Sequence, residues 1–162
     1  MTSDRRNFVL GLAAGVSWFP ASAKAEPCAA TRVLFVCPMG SVKSAIAREE
    51  LRRAVKARGL PVMVQSRGLT PTNDISPALA AHLRDDGINP LADPLRRFTK
   101  ADTEKADIII AFDEAAKAPG LEQATVWNSP SWNDDYAHAK ETMDQRITKL
   151  TDELAQRPCT KR

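Results

Sequence analysis

The chain has 162 residues, 43% of them hydrophobic and 27% charged, with a formal net charge of +3. That length suits one domain with one core. Arg5, Arg6 and Lys24 against Asp4 place most of the basic excess in the first 25 residues, so the remainder carries no charge run that marks a nucleic-acid or acidic-membrane binder.

The N-terminus reads as an export signal. An arginine pair, Arg5-Arg6, precedes the apolar stretch Phe8–Phe19, which is too short to span a bilayer comfortably and ends at Pro20. Ala21-Ser22-Ala23 and Ala23-Lys24-Ala25 both offer small-x-small cleavage sites. The segment resembles a twin-arginine signal, which carries folded proteins across the bacterial inner membrane. The alternatives are a general secretory signal and an uncleaved anchor. The expectation is a signal over residues 1–25, a single domain over 26–162, a periplasmic location and no stable membrane insertion after processing.

The first strand of that domain is Arg32–Cys37, a short apolar run of the kind that forms buried parallel strands. It ends on Cys37, followed by Pro38-Met39-Gly40-Ser41-Val42, then Lys43-Ser44 and a helical pattern over 44–58 that stops at Gly59. Open α/β sheets bind ligands at such a strand end. Loop amides and a helix N-terminus favour an anion there, a thiolate included. The pattern predicts a cysteine nucleophile in an oxyanion cradle built from Met39, Gly40, Ser41, Val42, Lys43 and Ser44. The competing reading is a buried structural cysteine beside an ordinary turn.

Pro61–Gln65 is a second strand, and Ser66 to Asp74 is loop by composition. Ser76 caps a helix opening with Pro77 and ending near Gly87. Thr99 caps a short helix with Asp102 at its third position. Asp107–Phe112 is a strand buried on both faces, and Ala124–Trp127 is a fourth. Asn133–Gln156 is a long helix with Tyr136, Met143, Ile147, Leu150 and Leu154 at helical spacing. Strands alternating with helices predict a parallel sheet covered on both sides. His82 and His138 lie far from any cysteine and no C-x-x-C occurs, so neither a metal site nor another cofactor is expected.

The residues Cys37-Pro38-Met39-Gly40-Ser41-Val42-Lys43-Ser44, Ser66-Arg67-Gly68-Leu69, Leu83-Arg84-Asp85-Asp86-Gly87-Ile88, Pro94 to Asp102 and Ala106 to Asp113 stand in an order and at separations that resemble one family. That family is the low-molecular-weight protein-tyrosine phosphatases, which include thioredoxin-coupled arsenate reductases. The resemblance implies a three-layer α/β sandwich of the phosphatase-I type, with four parallel strands in the order 2-1-3-4. It also implies that Cys37 attacks phosphorus and that Ser44 supports the thiolate. The family loop is C-x-x-N-x-C-R-S. Gly40 replaces its asparagine and can supply φ > 0 unaided. Lys43 replaces its arginine, keeping the charge without the planar fork.

The family acid loop, W-x-x-P-D-P, falls on Trp127-Asn128-Ser129-Pro130-Ser131-Trp132, so Ser131 stands where the aspartate protonates the leaving group. Asp134 and Asp135 either swing into the cleft or form the charged first turn of the last helix. Trp132 either walls the cleft or covers the sheet edge. The arsenate-reductase branch needs two further cysteines after the second strand, where neither Cys28 nor Cys159 lies. Three readings follow: an exported, weak cysteine-dependent phosphatase for phosphotyrosine or small phosphomonoesters, a non-catalytic phosphate binder, and a structural or redox module. Finally, the last helix must run back antiparallel to the sheet, which brings its end near the start of strand one and predicts a Cys28–Cys159 disulfide in an oxidising compartment.

Overall fold

A computed structural model describes residues 28–158. The expected signal segment and Cys159 lie outside the described residues. Four strands form one parallel sheet: β1 Thr31–Cys37, β2 Val62–Gly68, β3 Ile108–Phe112 and β4 Thr125–Trp127, in the order β2-β1-β3-β4. β1 is central, pairing Cys37 with Gly68 on one side and Val36 with Ala111 on the other. Its side chains alternate between two cores. Val33, Phe35 and Cys37 face α1 (Lys43–Ala57), α2 (Pro77–Asp85) and α4 (Tyr136–Ala155), through Ile46, Leu51, Leu83, Met143 and Ile147. Leu34 and Val36 face the smaller cluster with Ala111, Leu121 and Phe98, on the side of α3 (Lys100–Lys105) and the 3-10 turn Asp113–Lys117.

The local signals work as their chemistry requires. Ser76 Oγ accepts from Leu79 N–H at 3.2 Å and caps α2. Thr99 donates from both its N–H and its hydroxyl to Asp102 Oδ2, each at 2.9 Å. Two boundaries differ from the sequence expectation by three residues. β2 continues through Ser66-Arg67-Gly68, which read as loop by composition. The residues are polar because this strand lies at the sheet edge, and Gly68 is held there by Arg96 and Phe98: its N–H donates to Arg96 O and its carbonyl accepts from Phe98 N–H. α4 starts at Tyr136 rather than Asn133, because Asp135 is its cap: the Asp135 side chain accepts from His138 N–H at 3.1 Å.

Arg48 on α1 is 1% exposed. It is satisfied by Glu49 Oε1, Ser66 Oγ and Pro90 O, each at 2.8 Å. One buried guanidinium thus ties α1, β2 and the loop after α2 beneath the sheet end that carries Cys37.

Candidate active site

Cys37 ends the central strand and is buried. Gly40 N–H donates to its Sγ at 3.1 Å, and Ser44 Oγ lies 3.0 Å from the same sulfur. Ser44 Oγ also contacts Arg67 O at 3.3 Å. A hydroxyl has one hydrogen. With a neutral thiol, sulfur donates to Ser44 and the hydroxyl donates to the Arg67 carbonyl. With a thiolate, the hydroxyl turns to sulfur. Ser44 can therefore bond the sulfur in either protonation state, giving up the Arg67 carbonyl when it donates to the thiolate.

The loop from 38 to 43 is shaped from outside. Leu69, Thr70 and Thr72 N–H donate to the carbonyls of Cys37, Pro38 and Met39, which keeps those oxygens engaged by the neighbouring loop. Ser41 is buried, and its Oγ accepts from Asp74 N–H at 3.2 Å. Gly40 has φ +76, the left-handed conformation expected of it. α1 begins at Lys43 with no side chain capping its first amides and no acid in its first turn. Most helices fill that position from within. Here the first turn faces the cysteine loop, and an anion is the natural partner for its amides. Met39 is exposed at the outer edge of the loop, and Val42 is half-buried.

Lys43 is neither free in solvent nor alone. Its Nζ pairs with Asp113 Oδ2 at 2.5 Å. Asp113 follows β3, has φ +52, and accepts from Ser129 N–H on its second oxygen at 2.9 Å. Sequence reasoning placed Asp113 only at the end of a strand. The available signal was an acid at the carboxyl end of the strand beside β1, where ligand sites of open sheets form.

The acid loop is displaced from its expected role. Ser131 is exposed. Asp135 is committed to capping α4, and Asp134 is exposed in the turn before it; neither belongs to the helix's first turn. Trp132 neither walls the cleft nor covers the sheet edge from outside. It is 3% exposed, belongs to the main core and stands edge-on to Tyr136, with ring centroids 5.6 Å apart. An indole at that position is too large and apolar to stay out once α4 packs on the sheet. Among the described residues no group of His, Cys, Asp and Glu is placed to hold a metal ion, and no helix is long and apolar enough to cross a membrane. Cys37 is a free thiol and Cys28 is disulfide-bonded.

Residues 32–144 match the sequence family described as low molecular weight phosphotyrosine protein phosphatase. The chain belongs to that family. Solved structures agree on the fold. The YwlE arginine phosphatase, as a cysteine-to-serine mutant with a phosphorylated active-site serine, has a TM-score of 0.63 at 16% identity, covering 78% of this chain and 97% of its own. An arsenate reductase in the phosphate-binding state also scores 0.63 at 16% identity, covering 76% and 98%. Vibrio vulnificus Wzb in complex with benzylphosphonate scores 0.61 at 14% identity, covering 76% and 98%. No curated protein sequence matches the chain. The matched range takes in the whole loop from Cys37 to Ser44 at the carboxyl end of β1.

Proposed function

We propose that this protein is an exported, cysteine-dependent phosphomonoesterase of low activity that acts on phosphotyrosine or small phosphomonoesters in the periplasm. The observation that carries the reading is the Cys37 sulfur, held by Gly40 N–H and Ser44 Oγ at an α1 N-terminus with no capping side chain. Cys37 Sγ attacks phosphorus, the bond from phosphorus to the ester oxygen breaks, and that oxygen takes a proton from solvent. Water then attacks the phosphocysteine, releasing phosphate and the thiol. With serine at 131 and Asp135 engaged as a cap, no carboxylic acid on the acid loop supplies the proton, and such a loss costs about 10²–10⁴ in rate. Substrates with stable leaving groups, phenols above all, suffer least. The twin-arginine-like segment motivates the periplasmic location.

The second reading is a phosphate binder without turnover. Lys43 favours it, since an ammonium grips a planar transition state less well than a guanidinium fork. Turnover of an aryl phosphate by the protein and by Cys37→Ser, with phosphate affinity measured on the same samples, separates the two. Cys37-dependent turnover supports the enzyme. Phosphate binding with no difference in turnover between the two supports the binder. The arsenate-reductase reading lacks its relay: Cys37 is the free thiol among the described residues, and Cys28 is bonded.

A further inference from the structure

The Lys43–Asp113 pair places a carboxylate on the cation that replaces the loop arginine. A guanidinium spreads five N–H donors over three nitrogens and can face a carboxylate with one edge and an oxyanion with another. An ammonium presents one nitrogen. In this chain the carboxylate of Asp113 and an incoming phosphate meet at a single atom. Both side chains are largely sheltered, 25% and 18% exposed, so water screens the competition weakly. The other Asp113 oxygen holds Ser129 N–H, in the loop where the acid residue is missing.

We propose that Asp113 is a positioning residue that latches Lys43: it neutralises the ammonium in the resting site, and an oxyanion binds only by drawing that ammonium away. The latch rests on the reading of residues 39–44 as an oxyanion cradle. It accounts for a phosphatase loop that keeps its nucleophile and its cation yet holds the cation in reserve. The carboxylate stays anchored to Ser129 after Lys43 leaves, so the loop over the site need not open for the exchange.

The test is orthovanadate affinity on the full chain, by calorimetry at fixed pH and ionic strength, in a double-mutant cycle. Asp113→Asn removes the charge while retaining an acceptor for Ser129 N–H, and asparagine tolerates the left-handed backbone that φ +52 imposes. Binding should tighten about tenfold in Asp113→Asn with Lys43 present, and less than about threefold in the Lys43→Ala background. Lys43→Arg, with Asp113 intact, should recover most of the gain, because a fork serves both anions. Equal factors with Lys43 present and in the Lys43→Ala background would reduce Asp113 to plain charge repulsion and overturn the latch, as would weaker binding in Asp113→Asn. Should Asp113→Asn fold poorly, Lys43→Arg decides alone: unchanged or weaker affinity rejects the latch. Absence of vanadate binding in every chain rejects the cradle itself, and the latch with it.

Discussion

Gly68 lies against the Met39–Gly40 peptide so closely that a β-carbon on it would stand 2.7 Å from Met39 C and 2.8 Å from Gly40 N. The end of β2 is thus the wall on which the cysteine loop rests, and the contact is backbone to backbone with no flexible side chain to give way. Gly68→Ala should cost roughly 1–3 kcal/mol of stability by overpacking. Because the displaced atoms belong to the proposed cradle, vanadate affinity should fall by roughly 5- to 150-fold, that same energy expressed as affinity. A melt paired with a vanadate titration checks both; unchanged vanadate affinity would show that the loop is shaped without β2.

Ser44 contacts both the sulfur and the Arg67 carbonyl. Ser44→Ala removes the hydroxyl that supports Cys37. A hydrogen bond to a charged group contributes about 1.5–3 kcal/mol, so alkylation of Cys37 by iodoacetamide at neutral pH should slow by roughly tenfold or more. Turnover of an aryl phosphate should fall with it, while the melting temperature moves little.

Two departures from the family pattern act on one transition state. Lys43→Ala should weaken phosphate binding, and Lys43→Arg should strengthen it. The double change Lys43→Arg with Ser131→Asp should raise kcat on an aryl phosphate by about 10–10³-fold, with no requirement of additivity. Steady-state kinetics on the single and double variants measure it. Wild-type turnover as fast as the double variant would place the proton donor on another residue.

Glu50 on α1 carries a buried Oε1 with no hydrogen-bond partner, and Arg53 NH1 is 3.8 Å away. Burial pushes its carboxyl above the usual carboxylate range, with Arg53 and Lys140 opposing and Asp144 and Asp86 adding. A raised folded value means that this group's contribution is full below the unfolded carboxylate range and is lost as pH rises through the folded value. Glu50→Gln should therefore stabilise the protein at pH 8 by about 0.5–1 kcal/mol, a few degrees in Tm. The gain should shrink toward pH 4, and melts at both pH values test the sign.

Cys28 is bonded and Cys37 is free. If Cys159 is the partner of Cys28, thiol counting on the oxidised, denatured protein should find one free thiol of three. Reduction should lower stability by about 4–5 kcal/mol, since the bond closes a loop of more than a hundred residues. Three free thiols would reject the pairing.

The sequence alone determined what depends on local chemistry and period. An apolar run fixed β1, Thr99 and Asp102 fixed the start of α3, and helical spacing fixed the buried face of α4 through Met143, Ile147, Leu150 and Leu154. The order of Cys37, Gly40, Lys43 and Ser44 along one loop, read beside the family pattern, likewise pointed to a candidate cradle, because those residues are neighbours in the chain. Tertiary structure decided whatever joins distant segments. Ser66-Arg67-Gly68 is strand because β1 pairs with it and residues 96–98 supply its outer hydrogen bonds. Trp132 is core because α4 packs over it, and Asp135 is a cap because the helix starts one residue later. The partner of Lys43 is 70 residues away. A lone aspartate at a strand end carries no local signal of that pairing; it arises because the parallel register brings the carboxyl ends of β1 and β3 together, where an ammonium and a carboxylate sheltered from water attract.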